Sequence, residues 1–548
     1  AGDCDGCRIE FDYHGQEALW PLRPERTTVQ VHTDGFLVPR AVLGVSPIRV
    51  TALDARWRLE DDRSGGTLSV ATEQFDMPGD VTLSAVLEGS VRGRGGEHRG
   101  AISRWEIVRE EEVWALPRVA IEADREGVSV WLPTLDLGRA GQFLRRALAA
   151  VGPAERWLGG LNVRGTAHNL RAAYSTDGGL AYAMTVDDLS LDGYKGVPTV
   201  RQAGGELFGH GRGLQFQLNA HDMDIAFPDI FRGDWSLPYA QGTLQLWFSP
   251  QYFGLRGLNL RAEALGSRAA GGFAMSRPPD REGQRLLLLV STDRIGMAEA
   301  QQFVPYKLPD GLQSWLLSAP RAGTLHDARL AYQGQFQDEP GELGRRLALS
   351  SGIRDGRIRY QSDWPEVSAV DGRLAISGST VGVEVARAES AGASLSDTQV
   401  RVIDNASAVN VTLDAQTDGD ALLEFVRTTP LRQWLGFVEP DWSSGGPLRL
   451  SGDLSVPLGD DSVPLAVRLR ADLEGVDLDL PGYRMSLTDL TGSFRYRYPH
   501  FVDAAGVSGT LFGEPVTIGA RTDEDASDAD PDRVHLLFDG VATPADVW

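Results

Sequence analysis

Apolar side chains fall on every second position through most of this chain. Val29 and Val31 begin the pattern. Val50, Leu53, Trp57 and Leu59 continue it, then Leu68 and Val70, then Val81, Leu83 and Val86. Alternate side chains of an extended backbone point to opposite faces, so these runs predict short strands with one apolar face, separated by Gly, Pro and Asp turns. A charged loop is expected over 89–100, with strands resuming at Ala101–Val108 and Val113–Ile121. Two runs change phase. Leu214, Phe216 and Leu218 share one parity while Met223, Ile225 and Phe227 share the other, and at Gly475 the set Val467, Leu469, Leu473 gives way to Val476, Leu478, Leu480. Strict alternation cannot slip within a regular strand, so a bulge or a turn is expected at each place.

Against this background one stretch has helical spacing. In Thr417–Leu435 an aspartate, Asp418 or Asp420, is placed to cap a first turn. Leu422, Leu423, Phe425 and Val426 then form an apolar stripe, and Pro430 ends or kinks it. Similar order recurs at Ile295–Leu316, where Phe303, Val304, Leu308, Pro309 and Leu312 precede Trp315-Leu316. A looser copy runs from Asp136 through Phe143, Leu144 and Leu148 to Trp157-Leu158. A glycine-containing turn and alternating sequence follow each Trp-Leu, and GGELF at Gly204, DGRLAI at Asp371 and TGSFRY at Thr491 stand at comparable distances downstream. Conserved order with unequal spacing is the signature of diverged repeats whose insertions fall in loops. The expected division is a partial N-terminal β unit over 1–135 and three helix-plus-β units over 136–294, 295–416 and 417–548, stacked as one elongated body. The tryptophans of the helix–turn units read as core anchors.

The balance of 42% hydrophobic and 24% charged residues is that of a folded protein, and 63 glycines favour many turns over long helices. A net charge of −23 argues against a nucleic-acid partner, because phosphate binding needs clustered cations and the few arginine pairs here sit among carboxylates. No window of about 18 uncharged apolar residues exists to span a bilayer as a helix. The run Leu286–Val290 has strand length. Residue 1 is alanine with no signal-peptide pattern after it, so the chain reads as a segment of a longer one.

Catalytic motifs are absent: there is no GxSxG elbow, no HExxH, no Walker loop and no GxGxxG opening a helix. The expectation is a non-enzyme without cofactor or metal. GHGRG at Gly209–Gly213 lies between strand patterns and reads as a hairpin turn. HDMD at His221–Asp224 would put His221 and Met223 on one face and Asp222 and Asp224 on the other, which splits any metal site. The acidic stretch Asp523–Asp532 reads as a solvated loop, lacking the glycine register of a calcium loop. The only cysteines, Cys4 and Cys7, form CDGC; without a second pair or a nearby histidine a local disulfide is favoured over zinc, with two idle thiols as the alternative.

What remains is mainly-β architecture: many antiparallel strands, each with an apolar face, and too few helices to cover them. Either two sheets close as sandwiches, or one long sheet curls into a trough lined by its apolar parity. In the trough, Phe216, Leu218, Val467, Leu469, Leu473, Phe494 and Tyr496 are the candidate lining residues.

The units Gln301–Gly334, Ser362–Gly378 and Leu487–Tyr498, with Leu308-Pro309 followed by Trp315-Leu316 and the strand at Gly323, resemble the middle of the bacterial YhdP proteins, which are AsmA-like. The resemblance runs from roughly residue 50 to the end. It implies a periplasmic protein of the Gram-negative envelope, tethered to the inner membrane in its full-length form, whose β-rich body is a hydrophobic groove. Phospholipids are the implied partner, carried between inner and outer membrane in support of the permeability barrier. The rival reading is a scaffold of closed β-sandwiches.

Overall fold

A computed structural model describes residues 8–541 apart from several stretches, the longest being 142–161 and 523–533. The chain is mainly β and divides into two compact units. One comprises Ala1–Asp229, Gly233–Ala264 and Gly272–Gln284, the other Ile230–Arg232, Leu265–Gly271 and Arg285–Trp548. Cys4 and Cys7, the acidic stretch Asp523–Asp532, Leu308-Pro309, Trp157-Leu158 and Trp434-Leu435 lie outside the described residues.

Within each unit, strands pair antiparallel with their neighbours in chain order. In the first, Arg8–Gly15, Pro24–Thr33, Ile48–Glu60, Arg63–Thr72, Val81–Arg94 and Glu97–Arg109 form such a run. From Val119–Ala123 the order continues through Gly127–Asp136, Arg164–Ser175, Gly179–Leu191, Thr199–His210, Gly213–Ala226 and Asp234–Phe248 to Phe253–Ala264. In the second, an unbroken ladder joins Pro320–Phe336, Arg346–Ile358, Val367–Ser377, Thr380–Ser390, Ala393–Ile403, Ala408–Asp418, Pro447–Pro457, Ala466–Leu480, Met485–Arg497, Phe501–Leu511, Glu514–Thr522 and Val534–Gly540. That is one sheet folded around its own apolar face, not two sheets facing each other. The expected loop at 89–100 is instead hairpin: Val81–Arg94 pairs with Glu97–Arg109, with Gly89 opposite Ile102 and Gly100 opposite Val91, and the charges that suggested a loop decorate the polar face of the strands.

The curl has a local cause. Many of the long strands carry an interior residue in the left-handed region, among them Asn169, Asp188, Gln202, Asp222 and Asn259 in the first unit. Asp327, Asp355, Ala369, Asp397, Gly475 and Asp489 do the same in the second. The pairing register shifts at most of these positions, for instance between Glu474 and Val476 and between Thr488 and Thr491. Each bulge adds a residue to one strand and strengthens its twist, so bulges on successive strands bend the sheet consistently. Both sequence phase changes are accounted for. Gly475 (φ +74°) is the bulge in Ala466–Leu480, and Asp222 (φ +56°) sits where Gly213–Ala226 changes parity without leaving the strand. The face assignment of HDMD is corrected here. Because Asp222 is left-handed, Met223 is buried while His221 is exposed, so the two do not share a face.

The bulges are held by polar contacts. Asp371 Oδ1 accepts the Asp355 N–H from the neighbouring strand at 2.9 Å, and Asp477 Oδ1 accepts that of Asp489 at 3.0 Å. The buried hydroxyls of Ser351 and Thr398 donate to the His326 and Ser396 carbonyls.

Three glycines of the downstream repeat motif, Gly205, Gly372 and Gly492, each follow a left-handed residue (Gln202, Ala369, Asp489) by the same interval. A Cβ there would meet neighbouring backbone: Gln217 O at 2.0 Å, Glu384 O at 2.3 Å and Val507 Cα at 2.9 Å. The repeat seen in sequence is therefore a bulge followed by close backbone approach.

Helices are few and short. Helix Gly419–Thr428 is capped by Asp418, whose Oδ1 accepts the Asp420 N–H while Oδ2 accepts the Gly446 N–H, so of the two candidate caps it is Asp418 that serves. Helix Asp310–Ser318 follows a short turn of helix at Met297–Ala300. Trp315 within it is 42% exposed, which overturns the core-anchor expectation for that residue. Its indole N–H reaches the Tyr360 carbonyl at 3.2 Å and fixes the helix end through a polar contact.

Candidate functional site

Register makes two continuous surfaces from the alternating pattern, because directly paired residues share a face. In the second unit one row reads Ala415, Leu450, Ala471, Phe494, Ala504, Ala520, strand by strand. A neighbouring row on the same face is Gly452, Leu469, Tyr496, Val502. One residue away in register the side chains change character: Asp414, Ser451, Arg470, Arg495, Asp503. This polar face carries its own ion pairs, Arg449 with Asp414, Arg470 with Asp472 at 2.8 Å and Arg495 with Asp503 at 3.7 Å. The guanidinium of Arg449 holds the Asp414 carboxyl below the usual aspartate range.

The apolar face is packed where it is deepest. Leu448, Val476, Leu487, Leu490, Val502 and Val507 are buried in one cluster, with Leu473, Phe494 and Tyr496 half-buried against it. Of the helices, Gly419–Thr428 supplies Leu422 to this cluster, and its Phe425 ring lies 6.0 Å from Trp364. The first unit repeats the arrangement. Met184, Leu207, Phe216 and Leu244 form an apolar row, whereas Thr185, Glu206, Gln217 and Thr243 form the polar row beside it. On the apolar side the Tyr182 ring lies over Gly209, and burial pushes the Tyr182 hydroxyl pKa up.

The structure distributes the seven candidate lining residues as follows. Val467, Leu469 and Leu473 stand on strand Ala466–Leu480, and Phe494 and Tyr496 on Met485–Arg497, with Leu469 directly opposite Tyr496. Val467 is 5% exposed and the other four are half-buried. Phe216, 6% exposed, and Leu218 stand on one strand of the first unit, on its apolar face. Sequence reading missed the small residues between them. Ala415, Ala471, Ala504 and Gly492 keep the floor of the rows low, and their signal was present as alanines or glycines at the apolar parity.

No cluster of three His, Cys, Asp or Glu side chains suited to a metal exists among the described residues, and no described helix is long and apolar enough to cross a membrane.

Bulged antiparallel ladders in chain order, each with an apolar and a polar face, define a class of curled-sheet proteins with an apolar lining. A protein-family model described as YhdP protein matches residues 47–545, and the chain belongs to the YhdP family. No curated protein and no solved structure matches. Membership together with the long antiparallel sheet fits an AsmA-like envelope protein.

Proposed function

We propose that the apolar faces are seats for acyl chains, and that the protein binds phospholipid and conducts it between the inner and outer membranes without catalysing a reaction. The observation that carries this is the in-register apolar row Ala415 to Ala520, which crosses successive strands with no charged side chain on it. Each methylene laid against such a surface gains about 0.8 kcal/mol, enough to hold a lipid, while near-equivalent successive positions leave no single one a trap. Headgroups keep to the polar rim. In this reading the protein works in the periplasm, tethered to the inner membrane in its full-length form.

The test is a photo-crosslinking residue placed at Leu469 or at Arg470 in cells, with captured lipid identified by mass spectrometry and the full-length protein assayed for complementation. Leu469 should capture phospholipid and Arg470 should not. Leu469→Asp should abolish complementation with the fold intact, because an unpaired carboxylate among acyl chains costs several kcal/mol. Equal capture from both faces, or unfolding of the aspartate variant with no lipid ever captured, would point to a closed scaffold and refute the conduit.

A further inference from the structure

The polar face of the first unit has a feature that the lipid reading does not use. Two in-register rows run across it, Ala120, Trp131, Arg171, Ala183, Phe208, Gln215 and Glu122, Ser129, Ala173, Ala181, His210. Elsewhere this parity carries charged, amide or hydroxyl side chains, as in Glu206, Gln217 and Thr243. Here alanines replace them, and they form the floor of a depression of about 670 Å³ bordered by Trp131, Arg171 and Glu122. Trp131 is 37% exposed and Phe208 41%, and the two stand three strands apart, about 14 Å at the spacing of paired strands. Glu122 is tied to Arg99 at 3.3 Å, while the Arg171 guanidinium has no side-chain partner among the described residues.

Large aromatic rings left on the solvated face of a sheet, over a flat floor cleared of long side chains, need a physical reason. Acyl chains are served by the opposite face. Polyanions are disfavoured by a net charge of −23. A ring whose flat face presents polarised C–H groups to the indole and whose edge presents hydroxyls to a planar guanidinium meets every element at once. We infer that this depression binds a glycan, a short run of neutral pyranose rings lying across the strands from Trp131 towards Phe208. Trp131 is the stacking platform, Arg171 the bidentate hydrogen-bond donor to ring hydroxyls, and the alanine floor the space that admits the chain. The partner is thus a neutral polysaccharide, bound on the face opposite the lipid seat, so that each surface can be tested without the other.

The experiment is saturation-transfer NMR on the whole chain with chitotetraose, cellotetraose and maltotetraose. At least one should receive transfer, with affinity falling tenfold or more in Trp131→Ala and in Ala181→Arg, which fills the floor. Arg171→Lys, which keeps the charge and loses the fork, should weaken binding less than Arg171→Ala. Leu469→Asp and Arg470→Ala, on the other unit, should bind as the parent does. Trp131 is 37% exposed, so Trp131→Ala should keep the parent's circular dichroism, and Ala181→Arg tests the same depression without removing the ring. Absence of transfer to all three sugars, or transfer undiminished by Trp131→Ala and Ala181→Arg, would overturn the inference.

Discussion

Replacing Gly205 with alanine tests whether the bulge-and-glycine repeat builds the curl. Gly205 has φ +156°, a region that side chains adopt only under strain, and its new Cβ would stand 2.0 Å from Gln217 O and 3.1 Å from Phe216 Cζ. Backbone strain of this kind costs about 1–3 kcal/mol. The overlap adds to it, because Gln217 O belongs to the adjacent strand and cannot swing aside as a flexible side chain could. A local loss of about 3 kcal/mol is expected, which raises the opening frequency of the Thr199–His210 and Gly213–Ala226 pair roughly a hundredfold. Hydrogen exchange read by mass spectrometry is the right assay, since a chain with two units need not unfold in one step. The control is Gly213→Ala, whose Cβ meets nothing nearer than His210 O at 3.6 Å and should change exchange little. If Gly205→Ala protects these strands as well as Gly213→Ala does, close approach at the repeat glycine is not what fixes the sheet.

Asp418→Ala should cost about 1–2 kcal/mol locally, seen as faster exchange in helix Gly419–Thr428, because both the Asp420 and Gly446 N–H groups lose their acceptor. The Asp371 carboxyl is held below the ordinary aspartate value first by the Asp355 N–H and then by Arg387. Its folded pKa lies below its unfolded one, so its contribution is present above about pH 4 and is lost as pH falls through the folded value. Strands Arg346–Ile358 and Val367–Ser377 should accordingly lose exchange protection in acid, and Asp371→Asn should flatten that dependence. Leu469→Asp should stop complementation by the full-length protein while Arg470→Asp leaves it, which a permeability assay would read.

Alternation along the chain was enough to announce a β protein with one apolar face per strand, since period two is a property of extended backbone and needs no tertiary partner. It also announced the bulge at Gly475 and the phase change that Asp222 makes, because a slip in parity has no other outlet in a continuous strand. The repeat was legible through Gly205, Gly372 and Gly492, though its meaning was not, for the backbone atoms that exclude a side chain there come from the next strand. Only register could decide which residues are neighbours. Leu469 meets Tyr496 because of how many residues the bulge at Gly475 consumes between that pair and the turn, and Leu450 meets Ala471 because those two strands pair there without a slip. For the same reason the loop expected at 89–100 became a hairpin, and Trp315 came to the surface. Its environment is fixed by Tyr360, which only the folded sheet brings to it. The alanine floor beside Trp131 is invisible to a reading of single strands, since Ala173, Ala181 and Ala183 become a surface only when pairing sets them side by side.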